Sequence, residues 1–190
     1  MLFRSLGGRA GTGKTLLAIA AGLDKAERGV DGIQKVTVFR PVNAVGNQDI
    51  GFLPGTIDEK MAPIAEAVYD SLRAIMPPDK IKSIRSKELL EILPLTHIRG
   101  RTLPKTWVVI DEAQNLERNV LVTALSRLGT GSKAVLCFDL LQRDSLRVGK
   151  HDGVYSVVQG LYGDRLFGHV TFKKTERSDV AELVNRKLVE

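Results

Sequence analysis

The sequence is poor in cysteine, in aromatic residues and in long apolar runs, and each shortage excludes something. One cysteine, Cys137, in 190 residues permits no internal disulfide. That rules out a disulfide-stapled secreted scaffold and leads us to expect the reducing cytoplasm. No apolar run reaches the roughly 18 residues that a transmembrane helix needs, so no membrane span is expected. The opening Met1-Leu-Phe-Arg-Ser-Leu-Gly-Gly-Arg-Ala-Gly11 lacks the apolar stretch of a secretory signal. Aromatics amount to Phe 6, Tyr 3 and Trp 1, too few for a module that binds single strands mainly by stacking bases on aromatic rings. There is no repeat, no low-complexity tract and no Ser/Gly/Pro linker, so residues 1–190 read as one domain. Neither charge sign dominates: 28 Lys and Arg against 22 Asp and Glu leave a net +6. The surplus mildly favours a polyanionic partner, nucleic acid before membrane.

What is present is a regular alternation of short apolar runs with helical stretches. Leu2–Leu6 is a brief apolar run that stops at a glycine loop, and Lys14–Glu27, rich in Leu and Ala, predicts a helix ended near Gly29. The β-branched Lys35–Arg40 predicts a strand stopped by Pro41, and Asn43–Gly55, with Gly46, Gly51, Pro54 and Gly55, predicts a long loop. Ile64, Val68, Leu72 and Ile75 recur at helical spacing, with Pro63 opening or kinking that helix. Pro77–Leu90 carries no clear pattern. Strands are expected at Glu91–Ile98, Trp107–Asp111, Lys133–Phe138 and Gly168–Phe172, and helices at Asn119–Leu128 and after Ser178. Strand–helix alternation of this kind predicts an α/β fold with a mainly parallel sheet flanked by helices.

The sharpest signal is Gly8-Arg9-Ala10-Gly11-Thr12-Gly13-Lys14-Thr15, which fits G-x-x-x-x-G-K-[ST]. A triphosphate needs several donors converging on its oxygens. Glycines let consecutive backbone N–H groups turn inward, and the helix that follows adds its free N-terminal N–H groups and dipole. Lys14 is expected on the outer phosphates of ATP, and the Thr15 hydroxyl on Mg²⁺. The glycines do not fit G-x-G-x-x-G, and Lys14-Thr15 has no role in a dinucleotide fold. A carboxylate is needed opposite this loop to hold the cation. Asp111, closing the apolar run Trp107-Val-Val-Ile, supplies it, and Glu112 is placed to polarise the attacking water. The stretch Val135-Leu-Cys-Phe138-Asp139-Leu-Leu-Gln142 repeats the pattern of a strand ending in polar residues. Gln142 is the candidate sensor of the terminal phosphate, with Asp139 its neighbour.

Further strings extend the pattern. They are Arg40-Pro41 with Gly46 and Ile50-Gly-Phe-Leu-Pro-Gly55; Glu59-Lys60-Met61 with Tyr69-Asp70; and His97-Ile-Arg99-Gly100-Arg101-Thr102-Leu103. Val109-Ile-Asp-Glu-Ala-Gln114-Asn115, Gly131-Ser-Lys133 and Thr175-Glu-Arg177-Ser178 complete them. In this order, over about residues 6–184, the chain resembles the PhoH-like ATPase family. Gly149-Lys-His151-Asp-Gly153 and Leu128-Gly-Thr-Gly131 are most similar to the subgroup whose ATPase follows a PIN ribonuclease domain. The resemblance implies a RecA-like P-loop NTPase core, hexameric rings of identical chains, and ATP-driven unwinding of RNA coupled to cleavage by the PIN domain. Seven residues precede Gly8, so no PIN domain is expected in this chain and no nuclease activity is assigned to it. Phe138 departs from the family, which more often has a small or polar residue before the sensor Asp.

Residues 79–105 hold seven basic side chains against three acidic ones. Lys80–Lys87 read as a solvated helix face. The resemblance points to single-stranded RNA for the loop residues His97, Arg99, Arg101 and Lys105, together with Arg40. Arg177, and after it Arg147, are candidates for an arginine that reaches a neighbouring subunit's terminal phosphate. Two other readings remain open on the residues: a P-loop kinase of a small molecule, and a nucleotide-gated assembly module that scaffolds a nuclease. The adjacent Asp111-Glu112 pair favours hydrolysis over both.

Overall fold

The computed structural model describes residues 2–41, 57–139 and 153–174. Six parallel strands form one sheet in the order β3-β2-β4-β5-β1-β6. The strands are β1 (Phe3–Gly8), β2 (Lys35–Arg40), β3 (Leu90–Pro94), β4 (Thr106–Ile110), β5 (Lys133–Phe138) and β6 (Phe167–Phe172). The helices are α1 (Lys14–Arg28), α2 (Ile57–Arg73), α3 (Pro78–Ser86), α4 (Arg118–Leu125) and α5 (Val154–Leu161). This α/β arrangement, with the glycine-rich loop between β1 and α1, is a RecA-like P-loop NTPase core.

Period-two alternation divides the central strands between two cores. Trp107, Val109, Val135 and Cys137 face the cluster that α1, α2 and α3 cover. Val108, Ile110, Ala134, Leu136 and Phe138 face the cluster under α4 and α5. A strand buried on both faces has no polar side to show, which is why β4 and β5 read as unbroken apolar runs. No helix among the described residues is long and apolar enough to cross a membrane.

Several predicted elements differ in extent. The strand expected at Glu91–Ile98 ends at Pro94, and Leu95–Ile98 turns into a short 3₁₀ helix with Leu95 and Ile98 buried. Helix α4 stops at Leu125 rather than Leu128, because Leu128 instead bridges to Leu103. Helix α2 begins at Ile57, ahead of Pro63, and Ile75 lies past its end, 51 % exposed. In the unassigned stretch, α3 starts with Pro78 in its first turn and Asp79 near its positive end, a recognised N-terminal pairing. The loop expected at Asn43–Gly55 and the helix after Ser178 lie outside the described residues.

Helix α1 carries the phosphate loop, so its seat on the sheet matters most. The Trp107 indole N–H donates to the Ala18 carbonyl at 3.0 Å. One turn on, Gly22 lies flat against the same ring: a Cβ there would stand 2.3 Å from Trp107 Cδ1. Replacing glycine by alanine inside a helix ordinarily stabilises by about 1 kcal/mol. Here the overlap falls on a buried, rigid ring, and overpacking of that kind costs about 1–3 kcal/mol. The clash therefore wins. Gly22→Ala is expected to lower the denaturant midpoint, and Gly22→Val to lower it more, followed by the fluorescence of the sole tryptophan. A midpoint at or above wild type for Gly22→Ala would contradict this packing.

Candidate nucleotide-binding site

The parallel sheet brings the carboxyl ends of β1, β4 and β5 to one rim, where ligands of open α/β sheets bind. Gly8 ends β1 at φ 142°, and a Cβ there would lie 2.5 Å from the Phe172 carbonyl of β6, so only glycine lets the edge strand pair this far. Gly11 and Gly13 then turn the loop through left-handed conformations. Gly13 is the N-cap of α1 and offers no side chain to its first N–H groups, and no acidic residue stands in the first turn. Those donors and the helix dipole are left to an anion.

Inside the loop, Thr12 Oγ1 donates to the Arg9 carbonyl at 2.9 Å. Lys14 Nζ donates to the carbonyls of Gly8 at 2.6 Å and Arg9 at 2.7 Å. Burial pushes the Lys14 ammonium below its ordinary pKa, and the carboxylates of Asp139, Glu112 and Asp111 pull it back up. A desolvated ammonium facing carboxylates is well placed to gain from a phosphate.

Across the rim, Asp111 follows β4 and its N–H donates to the Phe39 carbonyl at 2.9 Å. Its carboxylate is buried; it accepts from Thr15 Oγ1 at 2.6 Å and pairs with Arg40 Nε at 3.2 Å. Burial raises the Asp111 pKa, while Arg40 and the Thr15 hydroxyl act against that rise. Glu112 adopts φ 51°, a left-handed conformation that costs a non-glycine residue about 1–2 kcal/mol. Its Oε1 lies 3.4 Å from Arg40 Nη2, and its Oε2 accepts from Gln114 Nε2 at 2.6 Å. Gln114 Oε1 in turn accepts the N–H of Asp139, the residue after β5, at 3.0 Å.

The cleft, open on one side, measures about 620 Å³ and is also lined by Ala67, Val68 and Ser71 of α2. That volume is typical of a small-molecule site. Cys137 lies on its floor, and burial drives the thiol well above its ordinary pKa, which leaves it unreactive. Thr15 Oγ1 and the Asp111 carboxylate are hard oxygen donors beside the phosphate loop. They fit Mg²⁺, which takes one or two carboxylates together with substrate phosphates.

Comparison with known proteins agrees with this geometry. The family model for PhoH-like proteins matches residues 3–188. The chain belongs to the PhoH-like family. The PhoH2 protein of Mycolicibacterium smegmatis is 55 % identical over 187 residues, covering 98 % of this chain and 42 % of that protein. PhoH2 of Thermobispora bispora is 54 % identical over 185 residues, 97 % of this chain and 42 % of its own length. PhoH2 of Bacillus subtilis is 40 % identical over 181 residues, 93 % of this chain and 40 % of its own. The chain thus spans about two fifths of the length of the curated relatives it matches.

Within this PhoH-like core, the expected site residues divide. The loop Gly8–Thr15, Asp111 and Glu112 line or adjoin one cleft, and Asp139 joins them. Arg40, expected to contact RNA, lines that cleft and reaches both carboxylates. Arg101 is tied to Glu91 at 3.2 Å, and Lys35 holds the same carboxylate at 3.0 Å. Lys105 precedes β4, at the opposite end of that strand from Asp111. Its backbone bonds Thr130 and Gln34, while Arg99 is exposed and His97 half-buried. Gln142, Arg147 and Arg177 lie outside the described residues. Sequence reasoning missed Gln114 as a site residue, although it stands two positions after Glu112 in the same acidic string.

Glu91 gives this loop a measurable anchor. Burial opposes its ionisation, but Lys35 and Arg101 outweigh burial and hold the carboxyl below the ordinary glutamate value of 4.5. A carboxyl with a depressed folded pKa stabilises the fold above its unfolded pKa, and that contribution fades as pH falls through the folded value. Glu91→Gln should therefore cost about 1 kcal/mol at pH 7 by denaturant titration, and the gap to wild type should narrow when the titration is repeated at an acid pH below the ordinary glutamate value of 4.5. An equal gap at both pH values would contradict the ion-pair account.

Proposed function

We propose that this chain is a Mg²⁺-dependent ATPase whose turnover is coupled to translocation on, or unwinding of, single-stranded RNA. The observation that carries the first part is the convergence on one cleft of Lys14, the Thr15–Asp111 pair and Glu112. The loop N–H groups and Lys14 bind the phosphates of ATP. Thr15 and Asp111 would hold Mg²⁺, which when bound neutralises charge on the phosphate oxygens. Glu112 orients a water and accepts its proton as the water oxygen bonds to the terminal phosphorus. The bond from that phosphorus to the bridging oxygen breaks, and ADP and inorganic phosphate leave. A carboxylate adjacent to the cation-holding Asp111 supports water as the acceptor rather than a small-molecule hydroxyl.

RNA coupling rests on the loop that follows β3. Arg99 is exposed there, makes no ion pair among the described residues, and stands beside an arginine that Glu91 anchors. Such a loop can hold a phosphate backbone without reading bases. The reading extends to a cytoplasmic homo-hexameric ring in which Arg177, or failing it Arg147, completes a neighbour's site. In longer relatives a PIN nuclease domain would receive the RNA.

Phosphate release and nucleotide binding, each with and without single-stranded RNA, test this reading. Lys14→Ala should weaken ATP binding about 10–100-fold, as loss of charge-assisted contacts implies. Glu112→Gln should bind ATP within about twofold of wild type but turn over about 10²–10³-fold more slowly. RNA should stimulate wild type, and Arg99→Ala should lose part of that stimulation. Equal turnover by wild type and Glu112→Gln would remove Glu112 from the chemistry. Hydrolysis indifferent to RNA would remove the coupling.

A further inference from the structure

We propose that Gln114 is the positioning residue for Glu112, holding that carboxylate in place and tying it to the end of β5. The proposal rests on Glu112 being the water-orienting group named above.

Gln114 sits in a single 3₁₀ turn, Ala113–Asn115, and is 2 % exposed. Both ends of its amide are engaged. Nε2 donates to Glu112 Oε2 at 2.6 Å, and Oε1 accepts the Asp139 N–H at 3.0 Å. The partners fix which end is which, because a carboxylate only accepts and a backbone N–H only donates. A planar amide meets both demands at once, from two separate atoms, while carrying no charge.

Glu112 needs such a support. Its backbone is left-handed, and its side chain is 41 % exposed, so burial alone does not fix the carboxylate. Arg40 reaches it at 3.4 Å but is shared with Asp111. The contact from Gln114 is the shorter, and it comes from a buried, doubly bonded group. It also links two strands: Glu112 follows β4, and Asp139 opens the stretch Asp139-Leu-Leu-Gln142 after β5. A shift at the end of β5 therefore reaches the Glu112 carboxylate through one amide.

The test uses the exchange of the two side chains. Gln114→Glu keeps the acceptor for Asp139 N–H but sets a carboxylate against Glu112. Its kcat for ATP should fall about 10–100-fold, with KM and the affinity for a fluorescent ATP analogue within about twofold of wild type. The double variant Glu112→Gln/Gln114→Glu restores one donor–acceptor pair with its polarity reversed. It should recover the melting temperature lost in Gln114→Glu, and its kcat should match that of Glu112→Gln within about twofold, since a residue acting through another adds nothing once that other is gone.

Each outcome decides. If wild type releases no phosphate, the hydrolysis reading fails and the proposal falls with it. If wild type turns over and Gln114→Glu keeps its kcat, the role of Gln114 alone is overturned. That role is overturned equally if kcat and analogue affinity fall together, or if the double variant is more than about tenfold slower than Glu112→Gln. Should Gln114→Glu fail to fold, recovery of a folded double variant with the kcat of Glu112→Gln supports the pair. A double variant that also fails to fold overturns it.

Discussion

One hydrogen bond organises this molecule. Thr15 and Asp111 are 96 positions apart in the chain and 2.6 Å apart in space. The bond joins the first turn of α1 to the end of β4, and so sets the phosphate loop against the carboxylate that faces it. A buried carboxylate is costly unless it is paired and hydrogen-bonded, and here the Thr15 hydroxyl and the Arg40 guanidinium meet that need. The helix is held to the same strand at a second point, through Ala18 and Gly22 on Trp107. Residues 15, 18 and 22 fall on one stripe of α1, so β4 grips the helix along that stripe from Trp107 to Asp111. A change at Trp107 therefore bears on the geometry of the phosphate loop.

Strands β4 and β5 were legible because burial on both faces writes itself as a continuous apolar run, and β2 because it is rich in β-branched residues and stops at Pro41. Lys35–Arg40 and Lys133–Phe138 match their predicted limits, and β4 ends where its acid begins. The phosphate loop was legible because its backbone demands glycine at fixed spacing. Other features were hidden by physics that acts only after folding. Helix α5 opens on Val-Tyr-Ser-Val-Val, side chains that favour strands and gave no helical signal, and it packs against α4. The run Glu91–Ile98 looks like one strand because Leu95 and Ile98 are as apolar as strand residues; they are buried from a 3₁₀ turn instead.

Charge was the least legible property. Between residues 79 and 105, Lys80–Lys87 read as a solvated helix face and the loop from His97 to Lys105 as an RNA contact, but neither reading names the acids that several of these side chains pair with. Arg85 pairs with Glu66 and stacks over the Tyr69 ring at 3.9 Å. Lys80 reaches Glu27 on α1, and Arg101 reaches Glu91. Arg40, which by sequence belongs with the RNA residues, stands among the site carboxylates. Pairing partners of this kind are set by strand order, which places β2 beside β4 and β3 beside β2, and no local pattern announces it. Gln114 escaped for the same reason, since its partner Asp139 is 25 positions away.

The central claim is that the Thr15–Asp111 contact assembles a magnesium–nucleotide site. Titration of a fluorescent ATP analogue with and without Mg²⁺, for wild type and Asp111→Asn, tests it most directly. Wild type is expected to bind the analogue more tightly when Mg²⁺ is present. Asp111→Asn should keep the Mg²⁺-free affinity, which the loop and Lys14 supply, and lose the Mg²⁺-dependent gain. An undiminished Mg²⁺ effect in Asp111→Asn would contradict the account.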